Sequence, residues 1–219
     1  MTTTFRKKFQ LEILIGILVI FYSVGIIGLF SRDYRESFLD LSAFNLLLSF
    51  IVLVLSRKTQ KVKFAFFLLI CFITGIAVEW IGTRTGLLFG NYAYGSNLGV
   101  KFQGVPLIIG INWGILSVGA CTVASSFIPL DSRWKPVLKA LFSAFLMVVL
   151  DILIEPVAID SDFWIWQDNE VPVFNYVCWF LISFPLHFVY FKLKLDEQNL
   201  VAIALFIIMV LFFAILNFH

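Results

Sequence analysis

Two carboxylates and a proline interrupt an apolar run in the segment Asp151-Ile-Leu-Ile-Glu155-Pro156. Four residues apart, Asp151 and Glu155 share one face of a helix. A charged group at membrane depth costs about 2.5–3.5 kcal/mol on insertion scales, and such groups usually face a bundle interior or a wet cavity. Pro156 cannot donate to the carbonyl of Ile152 and disfavours helical geometry at Glu155, so the helix is expected to loosen at the second acid. A third carboxylate, Glu79, closes another apolar run and is followed by Trp80. Carboxylates gathered in an apolar setting cannot all ionise. One that keeps its proton is a general acid, and aromatic faces beside it stabilise a carbocation by cation–π attraction. That combination suits protonation of a carbon–carbon double bond in an apolar substrate.

The elements that must carry these groups are membrane spans. Of 219 residues, 61% are hydrophobic, and the mean hydropathy is +0.98, against roughly 45–50% apolar residues in soluble domains. The expected fold is all-α: a polytopic membrane helix bundle forming a single transmembrane domain, residues 1–219, with about seven spans at 9–30, 38–56, 64–82, 106–130, 136–157, 172–191 and 200–218. Each is close to the ~20 residues that a bilayer requires. Arg6, Lys7, Lys8, Arg57, Lys58, Lys61, Lys63, Arg133, Lys135, Lys139, Lys192 and Lys194 fall on one side, and Arg32, Arg35, Arg84 and Lys101 on the other. This bias predicts an N-in, C-out, multi-pass protein of the cell's inner (cytoplasmic) membrane. The first run exceeds a signal-peptide core and no A-x-A site follows it, so it is read as a span.

Net charge is only +2, in short clusters, so no nucleic-acid surface is expected. Cys71, Cys121 and Cys178 lie inside spans, where small soft side chains pack well. There is no Cys-x-x-Cys pair, and the two histidines, His187 and His219, cannot build a histidine-based metal site. Neither a metal nor a cofactor is expected.

With this orientation Glu79 lies near the outer end of the third span, and Asp151 and Glu155 lie in the outer half of the fifth. Asn112 and Asn175 fall at the same level. Trp80, Tyr92, Tyr94, Trp113, Trp166 and Trp179 complete the expected substrate-binding set around the catalytic candidates Asp151, Glu155 and Glu79. The connection 82–105 alternates six glycines with Phe89, Tyr92, Tyr94 and Phe102, which predicts a compact cap folded over the outer face; an exposed aromatic loop is the alternative. The loop before the sixth span carries Asp160, Asp162, Asp168 and Glu170 with Trp164 and Trp166, read as an acidic outer face with an interfacial belt. Pro106 and Pro172 mark helix starts. The first, second and seventh spans read as scaffold. Three other roles compete for the carboxylates: structural hydrogen bonding, proton or ion coupling in a small transporter, and a divalent-metal diphosphate site, for which only Arg84 and Lys101 stand outside as phosphate partners.

The runs Glu79-Trp-x-Gly82-x-x-x-Gly86-x-x-Phe89-Gly90-x-Tyr92-x-Tyr94, Leu98-Gly99 and Val105-Pro106 with Trp113, then Asp151-x-x-x-Glu155-Pro156, Trp164-x-Trp166, Val171-Pro172-x-x-Asn175 and Trp179, resemble the CruF-type carotenoid-biosynthesis membrane proteins. That family includes carotenoid 1,2-hydratases and bisanhydrobacterioruberin hydratases. The resemblance covers roughly residues 75 to 179; Glu170 stands where the family pattern has glycine. It implies cofactor-free addition of water to the terminal C1–C2 double bond of a linear carotenoid ψ end group. A water held by Glu79 or Asn112 would capture the cation. A lycopene-cyclase-like reaction shares the first step. The implied partners are the lipid bilayer and a linear carotenoid, with a homo-oligomer or other carotenoid enzymes left open.

Overall fold

In lipid a backbone has no hydrogen-bond partner but itself, so long apolar runs wind into helices. The computed structural model describes residues 3–128, 134–167 and 170–218, without the side chains of residues 3–8. Arg133, Asp168, His219 and the side chains of Arg6, Lys7 and Lys8 therefore lie outside the described residues. The elements in chain order are α1 (Thr3–Phe30), α2 (Arg35–Asp40), α3 (Ser42–Ser56), α4 (Lys61–Thr85), β1 (Tyr92–Tyr94), β2 (Lys101–Phe102), β3 (Val105–Pro106), α5 (Leu107–Phe127), α6 (Lys135–Asp160), β4 (Trp164–Trp166), α7 (Val173–Lys192) and α8 (Leu200–Leu216).

Six helical segments are long and apolar enough to cross a membrane: Phe9–Phe30, Arg35–Ser56 through α2 and α3, and the whole of α4, α5, α6 and α7. The protein is an all-α, multi-pass membrane bundle. Where a seventh full span was expected, α8 has 17 residues, about 25 Å at 1.5 Å per residue. Nor is α8 only lipid-facing scaffold. Val201, Ala202, Leu205, Phe206 and Met209 are buried, and the helix packs on α1 and α5. A helix that is apolar all round gives no sign in its sequence of which face will be covered.

The centre of the bundle is α5, which packs against α3, α4, α6, α7 and α8. Its residues are buried almost continuously from Ile108 to Ala124. Small residues permit this close approach. A Cβ on Gly110 would stand 2.7 Å from the Phe72 ring, and one on Gly119 would stand 2.9 Å from Phe206.

The two ends of the bundle are fastened differently. At one end the buried Arg57 guanidinium donates to the carbonyls of Thr59 (2.9 Å) and Leu195 (2.8 Å) and faces Glu197 at 3.4 Å. Glu197 also accepts the Thr59 hydroxyl and the backbone amides of Lys58 (3.1 Å) and Thr59 (3.0 Å). Burial alone would push the Glu197 carboxyl up, but the Thr59 and Lys58 donors and Arg57 outweigh it and hold the group below its ordinary 4.5. Lys139 pairs with Asp196 at 3.0 Å beside them.

At the other end lies the cap. β1 pairs antiparallel with β4 in the register Tyr92↔Trp166, Ala93↔Ile165 and Tyr94↔Trp164, and β2 pairs with β3. The loops beside the ribbon are tied by Gly95 N–H to Phe163 O (3.0 Å), Gln167 N–H to Asn91 O (2.9 Å) and Asn97 Nδ2 to Ser161 O (3.0 Å). The expected loosening at Pro156 does not end α6, which continues to Asp160. Beyond the proline the chain makes its own turn bonds, Ser161 N–H to Val157 O and Phe163 N–H to Ala158 O, both 2.9 Å.

Candidate functional site

Side chains alternate across a strand, so a three-residue strand aims its first and third residues the same way. In β1 those are Tyr92 and Tyr94, and in β4 they are Trp164 and Trp166. Antiparallel pairing sets the four on one face, with ring centroids 5.0 Å apart for Tyr92–Trp166 and 6.1 Å for Tyr94–Trp164. Ile165, between the tryptophans, faces out and is 52% exposed. The ribbon thus lowers two phenols and two indoles onto the carboxylates of α4 and α6.

The division of labour is sharp. Both phenols serve Glu79: the Tyr92 hydroxyl donates to Glu79 Oε2, and the Tyr94 hydroxyl donates to the same oxygen at 2.7 Å. Both indoles serve Glu155, whose Oε2 accepts from Trp164 Nε1 (2.9 Å) and Trp166 Nε1 (3.0 Å). From the bundle, Trp113 Nε1 on α5 donates to Glu79 Oε1 at 3.1 Å. The Asn175 amide on α7 bridges the remaining pair, donating to Asp151 Oδ2 (2.9 Å) and Glu155 Oε1 (3.1 Å). Glu79 and Glu155 each accept three hydrogen bonds. Asp151 accepts one. Burial first, and then the neighbouring Glu79 carboxylate, push the Tyr92 and Tyr94 phenols well above their ordinary 10.0, so both remain donors.

Glycine sets one of these contacts. A Cβ on Gly75, one turn before Glu79 on α4, would lie 2.6 Å from the Trp113 indole, so only glycine admits that ring at its present depth. Trp113 in turn stacks on Trp179 of α7, with centroids 4.4 Å apart and planes 4° from parallel. Such a pair adds about 0.5–1.5 kcal/mol beyond burial.

These groups surround a cavity of about 30 Å³. A water needs roughly 10–15 Å³ measured this way, so the space holds one or two. Glu79, Asp151, Glu155, Asn112, Asn175, Tyr92, Tyr94, Trp166 and Trp179 of the expected set all line it. Asn112 presents a buried Oδ1 without a partner among the described residues. Trp113 stands behind Glu79 rather than on the wall. Trp80 is not on the cavity wall, and 45% of its surface is exposed. Successive helix residues point about 100° apart, so with Glu79 turned inward its neighbour faces away. Sequence reasoning missed Trp164, read as interfacial, and Phe89, a cavity wall residue whose backbone φ of 66° is rare for a non-glycine and whose N–H donates to Cys178 Sγ at 3.3 Å. The Trp-x-Trp spacing was the available signal, since period two puts both rings on one face. Among the described residues, no group of three or more His, Cys, Asp or Glu side chains is arranged to hold a metal ion.

A water-sized cavity lined by three carboxylates and by aromatic rings, within a bundle of membrane-crossing helices, defines a class of intramembrane acid site. The chain belongs to the carotenoid biosynthesis protein family, which it matches over residues 41–219. Its role lies in carotenoid synthesis, as an enzyme of the bilayer. Neither a curated protein nor a solved structure matches the chain.

Proposed function

We propose that the protein is a cofactor-independent carotenoid hydratase acting on the terminal C1–C2 double bond of a linear ψ end group. The observation that carries this reading is the unequal supply of hydrogen bonds to three carboxylates around a water-sized space. Donors stabilise the charged form of an acid. Glu79 and Glu155, with three donors each, are suited to carry charge. Asp151, with one, is suited to keep a proton and act as the general acid.

In the reaction, the Asp151 O–H proton adds to C-2 using the π pair of the double bond, which leaves the positive charge at the tertiary C-1. The rings of Trp166, Trp179 and Phe89 and the carboxylates of Glu79 and Glu155 stabilise that charge. A water held at Asn112 Oδ1 or Glu79 attacks C-1. The oxonium then loses a proton, which returns to the Asp151 carboxylate through the carboxylate cluster. The net change is one water added and the acid restored. The unequal distribution of Lys and Arg between the two sides of the bundle is the ground for an N-terminus in the cytoplasm and residence in the inner membrane.

Expression in a bacterium that accumulates lycopene or γ-carotene, followed by liquid chromatography and mass spectrometry of the pigments, tests this reading. The expected product is more polar and heavier by one water. A product of unchanged mass with shifted absorption means cyclisation, and unchanged pigment from both precursors rejects the hydratase.

A further inference from the structure

A second chamber of about 80 Å³ lies against the carboxylate cavity, enclosed by α1, α3, α5, α6 and α8. Ile109, Asn112, Ile154 and Trp164 line both spaces and form the partition between them. On its far side the chamber shares Leu29, Val157 and Ser161 with an open recess of about 410 Å³ where α1, α6 and α8 end. Recess, chamber and cavity therefore stand in series, from the cap end of the bundle inward.

The recess suits water rather than lipid. Arg35 pairs with Asp160 on its wall, and 77% of the Asp160 side chain is exposed. An exposed carboxylate is stable where water reaches it and costly in hydrocarbon. The chamber is about half the ~150 Å³ that admits benzene in an apolar protein cavity, but a water needs only roughly 10–15 Å³, so there is room for several. Most of its wall is apolar, Leu46, Met209 and Phe212 included, and an apolar cavity stays dry unless polar groups hold the water. Such groups are present. The Oδ1 atoms of Asn45 on α3 and Asn112 on α5 are buried and have no hydrogen-bond partner among the described residues, and Ser42 and Ser161 line the same space. Buried acceptors normally have partners, ordered water among them. Water answers an amide from either side, donating to its oxygen or accepting from its nitrogen.

We propose that recess and chamber form a water-supply route to the carboxylate cavity, entered from the aqueous phase at the cap end, in which Asn45 and Asn112 hold water through the apolar middle. That this water is a reactant rests on the hydratase reading; that the chamber is wet rests on its own walls. Asn45 is then a positioning residue for water on a helix that contributes nothing to the carboxylate cavity. Asn112, which lines both spaces, hands water across the partition.

Two methionines supply the probe and its control. Met209 lines the chamber and is 2% exposed, whereas Met147 on α6 is 0% exposed and lines none of the three spaces. Full-length protein in lipid nanodiscs is given brief pulses of hydroxyl radical generated from water by X-rays, and sulfoxide formation at each methionine is read by mass spectrometry. Met209 is expected to oxidise at least tenfold faster than Met147. Asn45→Leu should cut that ratio at least threefold, whereas loosening of the fold would raise labelling at both sites. Leu29→Trp, at the neck between recess and chamber, should lower Met209 labelling likewise and reduce pigment hydration at least fivefold, with the thermal transition checked to establish folding. Equal rates at Met209 and Met147 in wild type, an unchanged ratio in Asn45→Leu, or undiminished labelling or hydration in folded Leu29→Trp overturns the proposal. The outcome is separable from the hydratase reading. Fast labelling of Met209 without any conversion of pigment keeps the wet chamber and rejects the hydratase, and conversion with equally slow labelling of both methionines keeps the hydratase and rejects the route.

Discussion

The three carboxylates are chemically alike and are made unlike by their donors. Because Asp151 has one partner and the other two have three each, substitution should separate their roles. A positioned general acid contributes about 10²–10⁴-fold, so Asp151→Asn is expected to lower hydration by at least 100-fold while the protein still accumulates in membranes. Pigment yield normalised to protein by immunoblot measures this, and full activity in Asp151→Asn removes the acid role. These residues were legible in the sequence because a polar group in a lipid-embedded run is costly and needs a reason. Asn175 and Asn112 were found by the same rule. Trp80 was misplaced because adjacency in sequence is not adjacency on a helix surface, and Trp164 was missed because a tryptophan in a loop has an ordinary explanation as an interfacial anchor.

At the scale of elements, one short ribbon and one close helix contact place the donors. Adding a methyl at Gly75 must displace the Trp113 indole, since the new Cβ would lie 2.6 Å from it. Overpacking of this kind costs typically ~1–3 kcal/mol. Gly75→Ala is therefore expected to lower the unfolding temperature in detergent and to cut activity more than tenfold through loss of the Trp113–Glu79 bond; an unchanged pigment yield would show that this bond is dispensable. The helices could be read from hydropathy to within a few residues of their ends. The ribbon could not, because β1 and β4 have three residues each, too short for a period-two pattern to stand out. Their pairing also joins loops on either side of two membrane crossings. The glycine-rich connection did announce a folded cap, through aromatics that a flexible linker would not need.

For the molecule as a whole, the chemistry is gathered at one end and the ionic fastening at the other. Glu197 lies in that fastening, outside the spans, and its carboxyl is held below its ordinary 4.5. A depressed acid stabilises the fold above its unfolded pKa, and that contribution disappears as pH falls through the folded value. Thermal unfolding in detergent should therefore worsen below about pH 4.5 in wild type. Glu197→Gln should be less stable than wild type near neutrality and show a flatter acid decline; identical pH curves for the two proteins would refute the link. The distribution of Lys and Arg predicts which helix ends share a side; the pairing of Arg57 with Glu197 and of Lys139 with Asp196 was not read from it. Nor was it legible which apolar helices touch, since leucine and phenylalanine faces are interchangeable in a pattern. That is why α1, α3 and α8, read as scaffold, turn out to wall the second chamber.

The order of the hydrogen-bond partners along the chain has a consequence for biogenesis. Tyr92, Tyr94 and Trp113 all follow Glu79, and Trp164, Trp166 and Asn175 all follow Glu155. A nascent chain leaving the ribosome delivers each acid to the translocon ahead of its donors. Glu79 must wait until the fourth crossing has been made, and the cluster closes only when α7 brings Asn175 to it. Premature termination before that point leaves carboxyl groups in lipid without the donors that the finished protein supplies.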